Sequence, residues 1–254
     1  MNAFDIRNIS YSLQGKQILQ NLNLIIPQGS FISIVGMNGS GKTTLLKLLN
    51  NYLKPTAGKI LLYDKNLDTY SIKALARKQS IVFQSSKVDF DFSALQIVLM
   101  GRMPYQKLFS NDSKQDMMIA EQSMRQTNTW QLRNHLISSL SGGEQQRVFI
   151  ARSLTQQTPI ILLDEAVANL DLKHQLEIMH LLKQIQQTNN TTIIMVLHNL
   201  SLALKYSSYV LALKNGKQMF FDEPDKVLTP QNINTLFEVS ARIVDVNNVI
   251  LQDN

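Results

Sequence analysis

A glycine-rich loop occupies residues 36–44, with the sequence Gly-Met-Asn-Gly-Ser-Gly-Lys-Thr-Thr. It matches the phosphate-binding pattern G-x-x-x-x-G-K-[ST], in which glycines allow successive backbone N–H groups to point toward an anion. A structural glycine turn is the alternative, but the loop follows an apolar run and precedes a helical pattern, which favours nucleotide binding. The predicted phosphate-binding residues are Gly36, Asn38, Gly39, Ser40, Gly41, Lys42, Thr43 and Thr44. Lys42 supplies the point charge, and Thr43 is placed to ligate Mg²⁺.

Two adjacent carboxylates, Asp164 and Glu165, follow the apolar run Ile160–Leu163. A buried strand that ends in acids delivers them to the sheet edge where open α/β folds bind ligands. Asp164 is a candidate Mg²⁺ ligand, and Glu165 is a candidate to polarise the water that attacks a γ-phosphate. Taken alone, an apolar run followed by two acids is more typical of a solvated strand end. Because the chain also contains a phosphate-binding loop, the pattern instead favours a catalytic acid pair.

A second helix start able to take an anion lies at Leu140-Ser141-Gly142-Gly143-Glu144-Gln145. The Ser and the Glu three residues later fit a capping box, and two glycines leave the N-terminus bare. An ordinary helix cap is the alternative, and spacing alone does not dismiss it.

The elements that must position these residues follow from hydrophobic periodicity. Phe4–Ile9 and Ile18–Ile26 are predicted as short strands, and Phe31–Val35 as a buried strand that ends at Gly36. A helix is predicted from Thr43, with a leucine stripe through Leu53 that Pro55 terminates. Strand, glycine loop and helix therefore follow one another in order.

The later chain alternates strands and helices. Residues 88–154 are predicted to be a helical lobe, with a further capping box at Ser93–Gln96. The runs Ile160–Leu163 and Thr192–Leu197 are predicted strands, and Asn215-Gly216 predicts a hairpin. A helix between the two runs is predicted to carry one apolar face, formed by Leu172, Leu176, Met179, Leu182 and Ile185. This order implies a mainly parallel sheet covered on both sides.

Composition limits the function classes. The chain has 254 residues, 44% of them hydrophobic, and no Cys, which excludes a disulfide framework and thiolate metal sites. The formal net charge is +6, but the basic residues are scattered without an aromatic stripe, so we expect no nucleic-acid partner. No signal peptide and no apolar run of about 18 to 20 residues is expected.

The order of these motifs is similar to that of the ATP-binding cassette of ABC transporters. Residues 36–43 resemble its Walker A loop, residues 140–145 its signature and residues 160–165 its Walker B strand. Gln84 in Ile81-Val82-Phe83-Gln84 resembles the Q-loop, residues 168–171 the D-loop and His198 the switch histidine. The resemblance covers residues 3 to about 225, and several motifs in the right order are far more specific than any one.

The resemblance implies a fold and its boundaries. The fold class is α/β: a P-loop NTPase (RecA-like) core with an N-terminal antiparallel β subdomain and an inserted α-helical subdomain. Residues 1–254 are then one cassette, with core and β subdomain at 1–87 and 155–225. The helical subdomain with the signature lies at 88–154, and a C-terminal extension at 226–254.

The resemblance also implies a head-to-tail homodimer with ATP and Mg²⁺ between the chains. Ser141, Gly142 and Gly143 bind the γ-phosphate in trans, and Asp171 belongs to the nucleotide-binding set. The expected catalytic residues are Glu165, His198 and Gln84, and the expected Mg²⁺ ligands are Thr43, Gln84 and Asp164. Adenine stacking is assigned to Tyr11, although the family register falls on Leu13.

The three histidines other than His198 lie outside the motifs that resemble those of the family. His135, His174 and His180 are predicted to be surface or helix-face residues. Asn199 stands where the family commonly has Asp, which is expected to alter a helix cap more than the chemistry.

Residues 98–105, Val-Leu-Met-Gly-Arg-Met-Pro-Tyr, resemble a segment of importers of iron-siderophore complexes, haem and cobalamin. The expected function is therefore ATP hydrolysis that energises uptake of such a metal chelate. The expected partners are integral-membrane permease subunits and, indirectly, a substrate-binding protein. The expected location is the cytoplasmic face of the cell membrane, as a peripheral subunit. A soluble cassette ATPase of an assembly machine, such as an iron-sulfur scaffold, is the alternative.

Overall fold

The computed structural model describes residues 1–83, 91–107, 112–245 and 248–252. The chain divides into two compact units, one formed by residues 1–70 and 185–254 and the other by residues 71–184. The boundaries expected for the core, helical subdomain and C-terminal extension stay predictions. No helix in the described part of the chain is both long and apolar enough to cross a membrane.

The first unit contains a four-stranded antiparallel sheet with strand order β2-β1-β4-β5. Alternate residues of its long strands are buried, for example Leu22, Leu24 and Ile26 in β2, because neighbouring side chains of a strand point to opposite faces. The predicted N-terminal antiparallel subdomain is therefore present. Its strands are β1 (Asn2–Leu13), β2 (Lys16–Pro27), β4 (Ala57–Leu62) and β5 (Lys65–Asn66).

A second group of strands in this unit is mainly parallel. Strand β3 (Phe31–Val35) pairs in parallel with β8 (Thr192–Val196) and β9 (Tyr209–Lys214). Every residue of β3 and β8 is buried, as expected of strands covered on both faces. Strand β10 (Lys217–Asp222) returns antiparallel to β9 through Asn215-Gly216, with φ 50° and 75°, which confirms the predicted hairpin.

The first unit also contains helices and an antiparallel strand pair near its C-terminal end. They are α1 (Lys42–Leu49), α7 (Leu200–Tyr206), α8 (Pro224–Val227), α9 (Pro230–Phe237) and the strand pair β11 (Ser240–Asp245) and β12 (Asn248–Gln252). The predicted α1 stripe was too long, because the helix ends before Leu53. Asn51 adopts a left-handed φ of 60°, and the N–H groups of Tyr52 and Leu53 both bond to the carbonyl of Lys47.

The second unit contains a parallel strand pair, β6 and β7, and the predicted helical lobe. Both predicted capping boxes are present, at Ser93 with Gln96 and at Ser141 with Glu144. The predicted face of α6 is buried at Met179 and Leu182 but not at Leu172, which is 69% exposed at the start of the helix. The elements are α2 (Ile72–Ala76), β6 (Gln79–Val82), α3 (Ala94–Leu99), α4 (Lys114–Gln126), α5 (Gly142–Thr155), β7 (Ile160–Asp164) and α6 (Leu172–Asn189), which begins in this unit.

The segment Gly101–Tyr105 links α4 and α5 of the second unit. A Cβ at Gly101 would lie 2.4 Å from the carbonyl oxygen of Arg152 in α5, so only glycine fits there. The Arg102 side chain donates from Nε to Asp116 Oδ1 of α4 at 2.8 Å and from Nη1 to the carbonyl of Thr155 at 2.9 Å. The segment that resembles a subfamily motif thus has a structural role.

The ion pair between Arg102 and Asp116 is buried, so the loss of either partner should destabilise this lobe. Burial raises the pKa of Asp116, but hydrogen bonds from Arg102 and Ser113 outweigh it, so the pKa lies below its usual 3.8. We expect Asp116→Asn to lower the free energy of unfolding at pH 7 by about 3 kcal/mol, because Arg102 loses its charged partner. Urea unfolding measures this difference.

The sign of the pH dependence of the stabilisation by Asp116 follows from the direction of its pKa shift. Since the folded pKa is lowered, the contribution of the carboxylate is present above the unfolded pKa and is lost as the pH falls through the folded value. The difference between the wild-type chain and Asp116→Asn should therefore shrink below about pH 4. The exposed Asp225→Asn control should change stability by less than about 0.5 kcal/mol. Equal stability of Asp116→Asn and the wild-type chain at pH 7 would contradict the assignment.

Candidate functional site

The glycine loop connects β3 to α1 and requires glycine at two points. Gly36 has φ 146°, and a Cβ there would lie 2.1 Å from the carbonyl oxygen of Leu213. Gly41 caps α1 in a left-handed conformation with φ 99°, and a Cβ there would lie 2.4 Å from Leu19 Cδ2. The loop backbone can therefore curl tightly only with these residues.

The interior of the loop suits an anion. Lys42 is 5% exposed and donates from Nζ to the carbonyl oxygens of Gly36 and Met37, at 2.8 and 2.9 Å. The Ser40 hydroxyl is buried, and within the described residues it has no hydrogen-bond partner. A buried ammonium and an unpaired hydroxyl at the start of a helix fit a phosphate group. Thr43 and Thr44 are half-buried, whereas Asn38 and Gly39 are exposed.

Other predicted residues of the first unit lie at strand ends. His198 is exposed and lies two residues after the end of β8. Asn199 caps α7 by accepting a hydrogen bond from the backbone N–H of Leu202 at 3.1 Å, as expected for this position. Tyr11 is only 9% exposed and Leu13 is 55% exposed, so Leu13 offers more surface for an adenine ring.

The acidic pair of the second unit ends β7. Asp164 is 2% exposed at the last position of this fully buried strand. Glu165 adopts a left-handed backbone with φ 51°, and its carbonyl accepts a hydrogen bond from Ala168 N–H at 3.0 Å. Such a conformation is costly for a residue other than glycine and is found frequently at functional sites.

The signature begins helix α5. The Ser141 hydroxyl donates to Glu144 Oε2 at 2.7 Å, and the Ser141 backbone N–H donates to the same oxygen at 2.9 Å. These two hydrogen bonds lower the pKa of Glu144. The ionised Glu144 carboxylate of the same chain therefore accepts the hydrogen bonds that Ser141 donates at the start of α5.

The two signature glycines are not required by the packing of the second unit. A Cβ at Gly142 would meet nothing within 4 Å, and one at Gly143 would make only ordinary contacts, with Leu170 Cδ2 at 3.6 Å and Asn169 O at 3.8 Å. Neither glycine has a positive φ. The same distances place the signature beside the D-loop segment, residues 168–171.

Asp171 ends the D-loop segment and caps α6. Its Oδ1 accepts a hydrogen bond from His174 N–H at 2.9 Å, and its Oδ2 contacts His174 Nδ1 at 2.6 Å. The backbone N–H of His174, followed by its side chain, lowers the pKa of Asp171. Sequence reasoning missed this partner, although the spacing Asp-x-x-His is that of an N-cap and its third helical residue.

A Mg²⁺ ion would find oxygen ligands in this chain. Thr43 and Asp164 are described, whereas Gln84 lies outside the described residues. Over the described ranges no three His, Cys, Asp or Glu side chains are grouped to hold a metal. Mg²⁺ bound with a nucleotide usually takes one or two protein carboxylates together with phosphate oxygens and water, and the Thr43 hydroxyl and the Asp164 carboxylate are each an oxygen donor of the kind that this cation prefers.

Comparison with known proteins decides the family. The family model described as ABC transporter matches residues 19–168, more than half of the chain. The chain belongs to the ABC transporter family. The prediction of an ABC-type ATPase is thereby confirmed.

Relatives of the chain within the ABC family are ATP-binding proteins of transport systems. The achromobactin transport ATP-binding protein CbrD of Dickeya dadantii is 36% identical over 96% of this chain and 91% of its own length. The iron(3+)-hydroxamate import ATP-binding protein FhuC of Bacillus subtilis is 33% identical over 96% of this chain and 91% of its own length. The cobalamin import ATP-binding protein BtuD of Halobacterium salinarum is 33% identical over 95% of this chain, which spans 60% of that protein.

Solved ABC structures share the fold. An ABC transporter described as being of metal-chelate type, in an inward-facing conformation, matches with a TM-score of 0.84 and 28% identity, over 99% of this chain and 96% of that chain. A dimeric ATP-binding cassette bound to ADP and Pi matches with a TM-score of 0.79 and 28% identity, over 87% and 98% of the two chains. The predicted α/β P-loop NTPase fold is therefore confirmed.

Proposed function

We propose that this chain is the ATP-hydrolysing subunit of an importer for a metal chelate, of the iron-siderophore, haem or cobalamin class. The observation that carries the proposal is the similarity to achromobactin and iron(3+)-hydroxamate ATP-binding proteins, at 36% and 33% identity over 96% of the chain. Such similarity along almost the whole length extends to the segments outside the shared ATPase motifs. An iron-siderophore complex is accordingly the first substrate to test.

The glycine loop is the proposed binding site for the ATP phosphates. Its backbone N–H groups and the Ser40 hydroxyl hold the phosphate oxygens, and Lys42 turns its ammonium from the loop carbonyls to the β- and γ-phosphates. Asn38, Gly39 and Thr44 complete the loop. For the adenine ring we retain both Tyr11 and Leu13 as candidates, and the greater exposure of Leu13 favours it.

Thr43, Gln84 and Asp164 are the proposed ligands of Mg²⁺, Asp164 either directly or through a water. The ion supplies charge neutralisation on the phosphate oxygens when it is bound. Asp164 is held at the end of a buried strand, so its carboxylate is presented without a large loss of side-chain entropy.

Glu165 is the proposed general base, and His198 is proposed to contact the γ-phosphate and the attacking water. Glu165 is half-buried and follows the last residue of β7, and a carboxylate there can accept a proton from water.

A head-to-tail homodimer is the proposed working form. In it, Ser141, Gly142, Gly143 and Asp171 of one protomer act on the ATP held by its partner. The surroundings of the two glycines support this proposal: a Cβ at Gly142 would have open space and one at Gly143 would make only ordinary contacts, so the lack of side chains can serve a phosphate that approaches from outside the chain. The dimeric state of a solved cassette with 28% identity supports it as well.

Permease subunits in the membrane are the proposed partners, with the chain bound peripherally at their cytoplasmic face. A substrate-binding protein is proposed as an indirect partner. Such an assembly would let closure of the ATPase dimer drive the channel, since the energy of ATP binding favours one conformation of the whole complex.

Affinity isolation tests this proposal. Tagged Glu165→Gln chain, purified from detergent-solubilised native cells with ATP and Mg²⁺, should retain a polytopic membrane protein in near-equal amount. The same purification without nucleotide, and one with the tag alone, are the controls. Recovery of a soluble assembly scaffold in place of a membrane protein would leave the ATPase chemistry standing and overturn the transport function.

A further inference from the structure

In the hydrogen bond between the side chains of His174 and Asp171, the donor and the acceptor can be assigned. The lowered pKa of Asp171 keeps its carboxylate ionised at neutral pH, so the carboxylate can only accept. His174 Nδ1 must therefore carry the proton and donate it to Oδ2 across 2.6 Å, while the backbone N–H of His174 binds Oδ1 at 2.9 Å. Both carboxylate oxygens are held, although the Asp171 side chain is 64% exposed.

This carboxylate lies at the end of a hydrogen-bonded loop that leads back to Glu165. Gln175 donates from its backbone N–H to the Asp171 carbonyl at 2.8 Å and from Nε2 to the Val167 carbonyl at 3.3 Å. Leu170 N–H also bonds to the Val167 carbonyl, and Ala168 N–H bonds to that of Glu165. The start of α6 and the general base are thus connected through the D-loop segment.

A second cationic side chain, Arg147, also attracts the Asp171 carboxylate. Arg147 of α5 helps to lower the pKa of both Asp171 and Glu144. Its side chain is buried, and in the described part of the chain its Nε has no hydrogen-bond partner. The positive charge of Arg147 attracts the Asp171 carboxylate, and the hydrogen bonds from His174 oppose this attraction because they hold both carboxylate oxygens.

We infer that His174 is a positioning residue for ATP hydrolysis: its imidazole holds the Asp171 carboxylate in one orientation and thereby fixes the D-loop segment beside the signature. The inference rests on the proposed role of Asp171 in the nucleotide site. We assign His174 no contact with the nucleotide or with the attacking water. It acts only through Asp171.

Side-chain replacement at position 174 tests the inference in steady-state ATPase assays of the full chain. His174→Ala should lower kcat about tenfold and change KM for ATP less than about twofold, because the phosphate loop is untouched. His174→Asn should recover kcat to within about threefold of wild type, since the Asn amide nitrogen can replace Nδ1 as a donor. His180→Ala, an exposed position further along α6, is the matched control and should leave kcat unchanged.

Folding is not at risk in these variants. Alanine is a strong helix former, and the Asp171 cap retains its backbone hydrogen bond, so the melting temperature should shift by less than about 3 °C. A purely structural role for His174 would instead lower the melting temperature and leave kcat per folded molecule unchanged. That result, or an Asn variant as slow as the Ala variant, would overturn the inference.

A double-mutant cycle separates this inference from the proposed function. Asp171→Ala should lower kcat at least as much as His174→Ala, and the double variant should be no slower than Asp171→Ala. Additive losses would show that His174 acts independently and would overturn the inference. If Asp171→Ala keeps the wild-type kcat, the proposed role of Asp171 fails and the inference fails with it. If Asp171→Ala is slow and His174→Ala is not, only the inference fails.

Discussion

Replacing Glu165 with glutamine is expected to lower ATP hydrolysis at least about 100-fold, because a general base of this kind contributes roughly two to four orders of magnitude. The amide cannot accept a proton from water, but it has the size and polarity of the carboxylate. The left-handed backbone conformation at position 165 costs no more free energy for Gln than for Glu, so the substitution should not disturb the local fold. The measurement is steady-state phosphate release by the purified full chain.

ATP binding should survive this substitution, because the phosphate loop lies in another part of the sequence and does not use Glu165. We expect a dissociation constant for ATP within about threefold of wild type, measured by calorimetry, and a dimer that persists while ATP is bound. Glu121→Gln, which removes an exposed carboxylate paired with Arg125 on α4, is the matched control and should hydrolyse ATP normally. Hydrolysis by Glu165→Gln at the wild-type rate would refute the role of this residue.

Placing an aspartate at Gly142 should separate folding from catalysis. A carboxylate at the first position of α5 favours the helix dipole, and the site has open space for it. We therefore expect Gly142→Asp to keep or raise the free energy of unfolding by up to about 1 kcal/mol. ATP hydrolysis should nevertheless fall at least about 100-fold, because the new charge repels the γ-phosphate that this position is proposed to receive from the partner protomer.

A second charge variant provides the comparison. Lys114→Asp places the same carboxylate at the first position of α4, in the same unit and also exposed, and should leave hydrolysis within about twofold of wild type. Raising the salt concentration should relieve part of the defect of Gly142→Asp, since ions screen exposed charges. A Gly142→Asp chain that hydrolyses ATP normally would contradict a role for this glycine in binding phosphate.

Features encoded by neighbouring residues could be predicted from the sequence. The hairpin at Asn215-Gly216 follows from two residues that tolerate positive φ, and the capping boxes at Ser93 and Ser141 follow from a spacing of three. The phosphate loop is of the same kind, because its glycines and Lys42 act within one short segment. Where local signals were weak, as at the end of α1, the prediction extended the helix past Leu49.

The family and its activity were also determined by the sequence, because several motifs in one order carry far more information than any single motif. The match to the ABC transporter family over residues 19–168 agrees with this reasoning. The individual site residues stay predictions, with Gln84 outside the described residues.

Contacts between segments that are distant in the chain could be identified only from the tertiary structure. Gly101 is a glycine because the carbonyl of Arg152 lies against it, and Arg102 is buried because Asp116 and Thr155 supply its acceptors. The packing of Gly143 against Leu170 likewise joins residues that no periodicity relates. Local spacing specifies turns, caps and loops because their partners lie a few bonds away. The choice of a partner across the fold depends on how helices and strands pack, and only the folded chain shows it.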